Sequence, residues 1–463
     1  MSGEMDEEKQ CKRKQSVKDY ASKVLRESSV SAVSAIVSTG NIKKKIFRVF
    51  VFLIFTAGFL YQCIKFLYYV LQYPTIVSIE MERSDRYLAP AFTFCNFNPV
   101  KRSKFCSKHP DRCFEPDEEF CEAYPKLCVE NNTKVPLGDI SEYLKEPKDV
   151  MELIHDWEEI LEYAYETPEG PLPRMDFDGF GTAACYSLYS RVNSRLDPNY
   201  ITKRILKSTT DWFTLHPRET EVLYPNSEPG IVFSIHSPFE AVNPFENGIF
   251  LKPGHLYHIS VQMMKEELLP YPYNTDCINY TDLWLNANRT GPRSQEMCRH
   301  RCLLDFTEHC FNCTHIYILY PSSGKEFCNF NPGLPRNSTT ERCKDWIEYI
   351  TPCFSSCKEA CSRMKYFYQV QESFSKKYDS HNDTSKLERE ILVTVQFEDS
   401  EIMKIQYKAQ FQQVETFSYI GGFIGIWLGV SLVQVADVIE SFFLIGRYIF
   451  KKGPCSKKSD SKT

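Results

Sequence analysis

Two apolar runs stand apart from an otherwise polar chain. Residues 49–64 (VFVFLIFTAGFLYQCI) are uncharged, Lys65 interrupts them, and the apolar pattern resumes through 66–71. Residues 417–443 (FSYIGGFIGIWLGVSLVQVADVIESFF) are dense in glycine and end in two acids, Asp437 and Glu440. Both runs are of the order that crosses a bilayer as a helix, roughly 20 residues. Glycine is a poor helix former in water but lets helices approach closely in a membrane. On an uninterrupted helix Ser418, Gly429 and Glu440 fall on one line, with Gly422, Gly425 and Ala436 beside it. Such a small-sided face ending in an acid suits a helix lining a narrow aqueous path. A helix-packing stripe with juxtamembrane charges gives the same spacing.

Between the runs the pattern changes. Apolar alternation predicts strands at Thr75 to Ile79, Ala91 to Phe94, Ile231 to Ile235, His258 to Met263 and Ile391 to Phe397. Asp149 to Tyr165 has helical periodicity and many acids, and Cys277 to Cys361 bound a helical, charged, cysteine-rich region. Lys43, Lys44, Lys45 and Arg48 abut the first run; Arg447, Lys451 and Lys452 abut the second. The excess of cations puts both flanks in the cytoplasm and the intervening segment outside. The expected organisation is a cytoplasmic segment at 1–45, a first span at 46–70, an extracellular domain at 71–416, a second, pore-lining span at 417–446 and a cytoplasmic tail at 447–463. Tyr61, Tyr68, Tyr69 and Tyr73 suit an interfacial aromatic belt.

Cysteine usage agrees with that topology. Of 19 cysteines, Cys11 and Cys455 lie in the tails and Cys63 in the first run. The rest lie in the intervening segment and are even in number, as an oxidised ectodomain requires. Cys106, Cys113, Cys121 and Cys128 form an evenly spaced knuckle whose pairing stays open. Acceptor sequons at Asn131, Asn279, Asn288, Asn337 and Asn382 all fall outside the tails. A single C-x2-C at Cys310 and Cys313 has no second copy, so no structural metal is expected. The net charge of −5 gives no basic surface for nucleic acid. A mean hydropathy of −0.37 excludes a many-pass transporter. No hydrolase or nucleotide-binding motif occurs, and no cofactor is expected.

Six landmarks now point one way. Ala89 to Asn98 (APAFTFCNFN), Gly230 to His236 (GIVFSIH), Leu268 to Cys277 (LLPYPYNTDC), Ser294 to Cys313 (SQEMCRHRCLLDFTEHCFNC), Cys361 to Tyr366, and Gly421-Gly422, Gly425, Gly429-Val430-Ser431 follow in order. Together they resemble the signatures of the degenerin, epithelial sodium channel and acid-sensing ion channel family, from about Ser28 to Glu440. The resemblance implies an α+β membrane protein: two transmembrane helices flanking a large disulfide-rich ectodomain with palm β-sheet, helical thumb, finger and knuckle. It implies a plasma-membrane trimer of this chain or related subunits, amiloride-sensitive and permeant to Na+, gated by an extracellular ligand, protons or mechanical load. A two-span ATP-gated channel shares the topology but would need a lysine-rich nucleotide site that is not evident. A membrane-tethered extracellular hydrolase is the third reading.

The same resemblance assigns roles. Gly429, Val430 and Ser431 would form a selectivity tract with extended backbone, Asp437 and Glu440 acidic rings below it, and Ser418 the gate position. An extended backbone at Gly429 would phase the two halves of the helix separately. Cys95 would pair with Cys185, Cys277 with Cys361, Cys298 with Cys357, Cys302 with Cys353, Cys310 with Cys343 and Cys313 with Cys328. Tyr73 would face Tyr273 at the wrist and couple ectodomain to pore. The chain departs from the family in carrying Ser31-Ala32 where a gating His-Gly is usual. It also has C-x2-C and C-x3-C where C-x-C is usual. Glu341, Asp345 and Glu348 lie on the thumb without matching the family's proton-binding pairs.

Overall fold

The computed structural model describes residues 17–26, 30–83, 86–129, 134–144, 147–175, 182–192, 202–204, 210–314, 318–319, 328, 346–374, 389–397 and 401–451. Two compact units emerge, Met1–Ile76 with Ala409–Thr463, and Val77–Lys408. The first unit opens with helices α1 (Val17–Arg26), α2 (Ser31–Ser38) and α3 (Ile42–Val70). Asn41 caps α3, its side chain accepting the Lys43 N–H at 3.1 Å, so the helix begins before the apolar run. With 29 residues it is long and apolar enough to cross a membrane. Ser31 and Ala32 make the first turn of α2. On α3, Arg48 Nη1 donates to the Ala35 carbonyl at 2.8 Å and to Thr39 Oγ1 at 2.6 Å, tying α2 to α3.

The second unit is built on two sheets. Their strands are β1 (Thr75–Arg83), β2 (Ala91–Asn96), β3 (Glu169–Met175), β4 (Thr182–Leu188), β5 (Thr210–Leu215), β6 (Ile231–His236), β7 (Ile249–Leu251), β8 (His255–Glu267), β9 (Ser362–Phe374), β10 (Ile391–Phe397) and β11 (Glu401–Ala409). All five strands expected from alternation lie within β1, β2, β6, β8 and β10. One sheet runs β7-β6-β2-β4-β3. The other runs β1-β11-β8-β10-β5, with β9 also on β8. β9 lies antiparallel along the whole of β8. The other edge of β8 is divided: β10 pairs in parallel with 256–261 and β11 with 264–267.

Inward side chains of both sheets form one core that includes Phe92, Phe213, Phe233, Tyr257, Ile259 and Val393. Phe92 meets Phe213 edge to face at 5.0 Å and lies nearly parallel to Phe233 at 5.8 Å, offsets that suit the ring quadrupoles. Cys95 and Cys185 are opposed in the ladder and bonded. Beside the core, the buried Glu219 carboxylate holds Lys126 and Arg389. A buried acid needs such partners to stay charged.

The expected helix over Asp149 to Tyr165 is not continuous. Helices occupy Pro147–Glu152 and Trp157–Ile160, and Leu161 joins an antiparallel bridge to Leu215. Ile154 is also claimed by a bridge, to Val100. Asp156 stands as a new N-cap, its N–H bonded by Glu159 Oε2 at 3.3 Å. An aspartate favours that position over a helix interior.

Disulfides organise the periphery. The knuckle is closed in two short loops, Cys106–Cys113 and Cys121–Cys128. Cys298–Cys357 and Cys302–Cys353 staple α4 (Gln295–Phe311) to α5 (Trp346–Ser356), and Cys277–Cys361 and Cys313–Cys328 complete the rungs described. The last four, like Cys95–Cys185, are pairs that the resemblance implies; the knuckle pairing is left open by the sequence. Cys310 is disulfide-bonded, while Cys343 lies outside the described residues, as do Asn131, Asn337, Asn382, Glu341 and Asp345. Cys63 is a buried free thiol.

Candidate pore segment

The second apolar run forms two helices rather than one, α6 (Gln413–Leu428) and α7 (Leu432–Lys451). They pass the length and hydropathy test for a span only as a pair, bent by 78°. The break falls on Gly429, Val430 and Ser431, the tract singled out in the sequence. The geometry differs from the extended backbone expected there. Gly429 closes α6 in the left-handed region, φ 62° and ψ 27°, its N–H donating to the Gly425 carbonyl at 3.0 Å. Glycine takes that conformation without the penalty a Cβ brings. Ser431 then opens α7. Its Oγ accepts the Gln434 N–H at 3.3 Å, and Gln434 Oε1 accepts the Ser431 N–H at 2.9 Å. This reciprocal capping box satisfies groups that a broken helix leaves without partners.

One face of α6 is fixed against α3. Gly58 lets the Trp427 ring sit on the α3 backbone; a Cβ there would lie 2.7 Å from Trp427 Cζ3. Trp427 Nε1–H donates to Gln62 Oε1 at 2.5 Å. Phe66 contacts Phe411, Tyr419 and Phe423 at 5.3–5.5 Å. The glycine face is different. Among the described residues, beyond the helix's own neighbouring atoms, nothing lies within 4 Å of where a Cβ would stand on Gly421, Gly422, Gly425 or Gly429. Ser418 is exposed, and its hydroxyl donates back to the Val414 carbonyl at 2.9 Å. Asp437 and Glu440, three residues apart on α7, share a face of the second half.

The remaining sequence-derived sites are placed as follows. Tyr73 follows α3 with φ 52° and belongs to the first unit; Tyr273 follows the cis Tyr271–Pro272 peptide in the second. Asn279 caps the helix Tyr280–Asn286, accepting the Asp282 N–H, and Asn288 has φ 55°. Both asparagines are exposed. Among the described residues no cluster of histidine, cysteine or acid could hold a metal ion. Sequence reasoning passed over Gln62, Trp427 and Gln434. A glutamine or tryptophan donor within an apolar run needs a partner, and S-x-x-Q at 431–434 is a capping signature.

The broken glycine-rich helix, the paired sheets and the disulfide ladder therefore recur in the order the motifs set. A family model described as amiloride-sensitive sodium channel matches residues 24–135 and 183–441. The chain belongs to the amiloride-sensitive sodium channel family. That family is a set of ion channels, not enzymes. The acid-sensing ion channel 1C of Danio rerio is 21% identical over 442 residues, 87% of this chain and 80% of that one. The bile acid-sensitive ion channel of Rattus norvegicus is 23% identical, covering 82% of this chain and 78% of that one. The epithelial sodium channel subunit alpha of Pelodiscus sinensis matches 46% of this chain and 35% of its own length at 21% identity. A solved proton-activated chloride channel covers 86% of this chain and 97% of that one, at TM-score 0.29 and 7% identity, which is too distant to carry an argument.

Proposed function

We propose that this member of the amiloride-sensitive sodium channel family is a pore-forming subunit of a trimeric, sodium-selective cation channel in the plasma membrane. It crosses the bilayer twice, with both ends in the cytoplasm, 71–416 outside and a second copy or related subunit on each side. Na+ is the permeant ion, and no cofactor takes part. The observation that carries the reading is the break at Gly429, Val430 and Ser431. It is capped on both sides, lies inside an apolar helix pair, and is followed by Asp437 and Glu440. Breaking a helix in a membrane is costly unless the freed backbone lines a polar path. A broken tract offers oxygen ligands to a cation stripped of water. Three copies of each acid would form rings that concentrate cations and repel anions. The open glycine face of α6 is what close approach of a second copy requires.

Whole-cell currents test this directly. Cells expressing the chain should carry an amiloride-blocked current that reverses near the sodium potential, and a bulky residue at Ser418 should hold it open. Asp437→Asn and Glu440→Gln should lower conductance or relax selectivity while surface trimer is retained. Subunit counting by stepwise photobleaching should give three. Unchanged permeation in both acid variants would remove the acidic rings from the mechanism.

A further inference from the structure

The two disulfide rungs between α4 and α5 lie side by side. Cys298 and Cys302 stand one turn apart on α4. Each is bonded to a cysteine near the end of α5, Cys298 to Cys357 and Cys302 to Cys353. Across the gap between the rungs, Cys302 Sγ comes within 3.9 Å of Cys357 Sγ, to which it is not bonded. The four cysteines differ in access. Cys302 and Cys357 are buried, at 4% and 3% exposed. Cys298 is half-buried and Cys353 is exposed.

The backbone around Cys353 is the weak part of α5. Pro352 sits inside the helix and breaks its hydrogen-bond ladder. Ser355 Oγ donates to the Pro352 carbonyl at 2.8 Å and Ser356 Oγ to the Cys353 carbonyl at 2.6 Å, local bonds that compete with the helix. Thiol exchange proceeds by attack of a thiolate on one sulfur of a disulfide while the other sulfur leaves. Access directs an incoming thiol to Cys353, so the sulfur that leaves is that of Cys302. A thiolate at this buried position is costly. The sulfur of the second rung that faces it is Cys357.

We propose that the paired rungs are a thiol-exchange site: a small aliphatic thiol enters at Cys353, and the break passes through Cys302 to Cys298. In the first step the incoming thiol, having lost its proton to water, bonds to Cys353 Sγ. The Cys302–Cys353 bond breaks and Cys302 keeps the electron pair. In the second step Cys302 Sγ bonds to Cys357 Sγ, and the Cys298–Cys357 bond breaks. Cys298 leaves as the thiolate and takes a proton from water. Two sulfur–sulfur bonds break and two form, so the exchange needs no oxidant and no reductant beyond the thiol itself. The modification is reversible. It moves the anchor of Cys357 from Cys298 to Cys302, one turn along α4. The chemistry does not depend on ion conduction.

The test uses the full-length protein in detergent, its free thiols first blocked with iodoacetamide. Reduced glutathione is added and the reaction is stopped with N-ethylmaleimide. Trypsin with chymotrypsin then separates the four cysteines, because Arg299 and Arg301 lie between Cys298 and Cys302, and Phe354 between Cys353 and Cys357. Mass spectrometry should find glutathione on Cys353, maleimide on Cys298 in equal amount, and the Cys302 peptide linked to the Cys357 peptide. Maleimide on Cys302 with the Cys298–Cys357 bridge intact means reduction without transfer and overturns the proposal. Glutathione on any of the other three cysteines, or no adduct on the four, overturns it too. Cys353→Ser gives a second reading, since it removes the first rung without any added thiol. Alkylated as purified, that variant should carry maleimide on Cys298 and the Cys302–Cys357 bridge. Maleimide on Cys302 instead overturns the transfer. Where the variant does not fold, the wild-type labelling decides alone.

Discussion

At Gly429 the backbone asks for a left-handed residue, and at Ser431 for a hydroxyl that can cap. These are separable demands. Ser431→Ala loses the cap and should destabilise the start of α7 by about 1 kcal/mol. Ser431→Asn keeps an acceptor at the same place. The sodium-to-potassium permeability ratio should fall in the alanine variant and stay near wild type in the asparagine one. An equal loss in both would show that the serine hydroxyl meets the ion rather than the helix. A third residue governs pH dependence. Burial and the Glu296 charge raise the Glu240 carboxyl to about 7, against the pull of Arg363 and Lys365. A carboxyl raised on folding stabilises most below its unfolded value and loses that contribution as pH climbs through about 7. His236 and His300 are lowered to about 4 by burial, so they act oppositely and weaken the fold as pH falls below the ordinary histidine value. Glu240→Gln should therefore melt higher than wild type at pH 8, with the gain shrinking towards pH 5. A gain that is constant across that range would exclude the buried charge as its cause.

Among the elements, the seam between α3 and α6 is the most specific. Gly58→Val would drive two methyl groups into the Trp427 ring, an overpacking cost of about 1–3 kcal/mol. Surface expression and current should both drop, and Trp427→Leu in the same chain should recover part of each. No recovery would mean the seam is not where the valine acts. This contact was invisible in the sequence because Gly58 and Trp427 lie far apart in it and no local pattern pairs them. The strands were legible from their apolar, β-branched and aromatic runs; β2 and β6 are buried at every position, and β8 and β10 alternate only in part. The disulfides linking α4 to α5 were expected only through the family resemblance, since spacing alone leaves their pairing open. The helix over 149–165 was misread because its acids satisfy helical periodicity equally well when Asp156 caps a fresh start. Gly429 is left-handed where an extended backbone was expected, since glycine permits both.

For the molecule as a whole, the described disulfides and the core lie in one unit and the apolar helices in the other. The chain passes between them twice. β1 leaves α3 and β11 enters α6, and the two strands are neighbours in one sheet, with Lys408 Nζ on Glu80 at 2.8 Å. At the helix ends Gln410 N–H donates to the Pro74 carbonyl, and the Tyr69 hydroxyl to Gln410 Oε1, both at 2.9 Å. Two cables clamped side by side at both ends transmit only a common pull. On the channel reading proposed above, a pull along β1 and β11 would reach α3 and α6 together rather than slide one along the other. On that reading a pore would then widen by pairs moving apart between copies, with the break at Gly429 rather than the seam as the hinge.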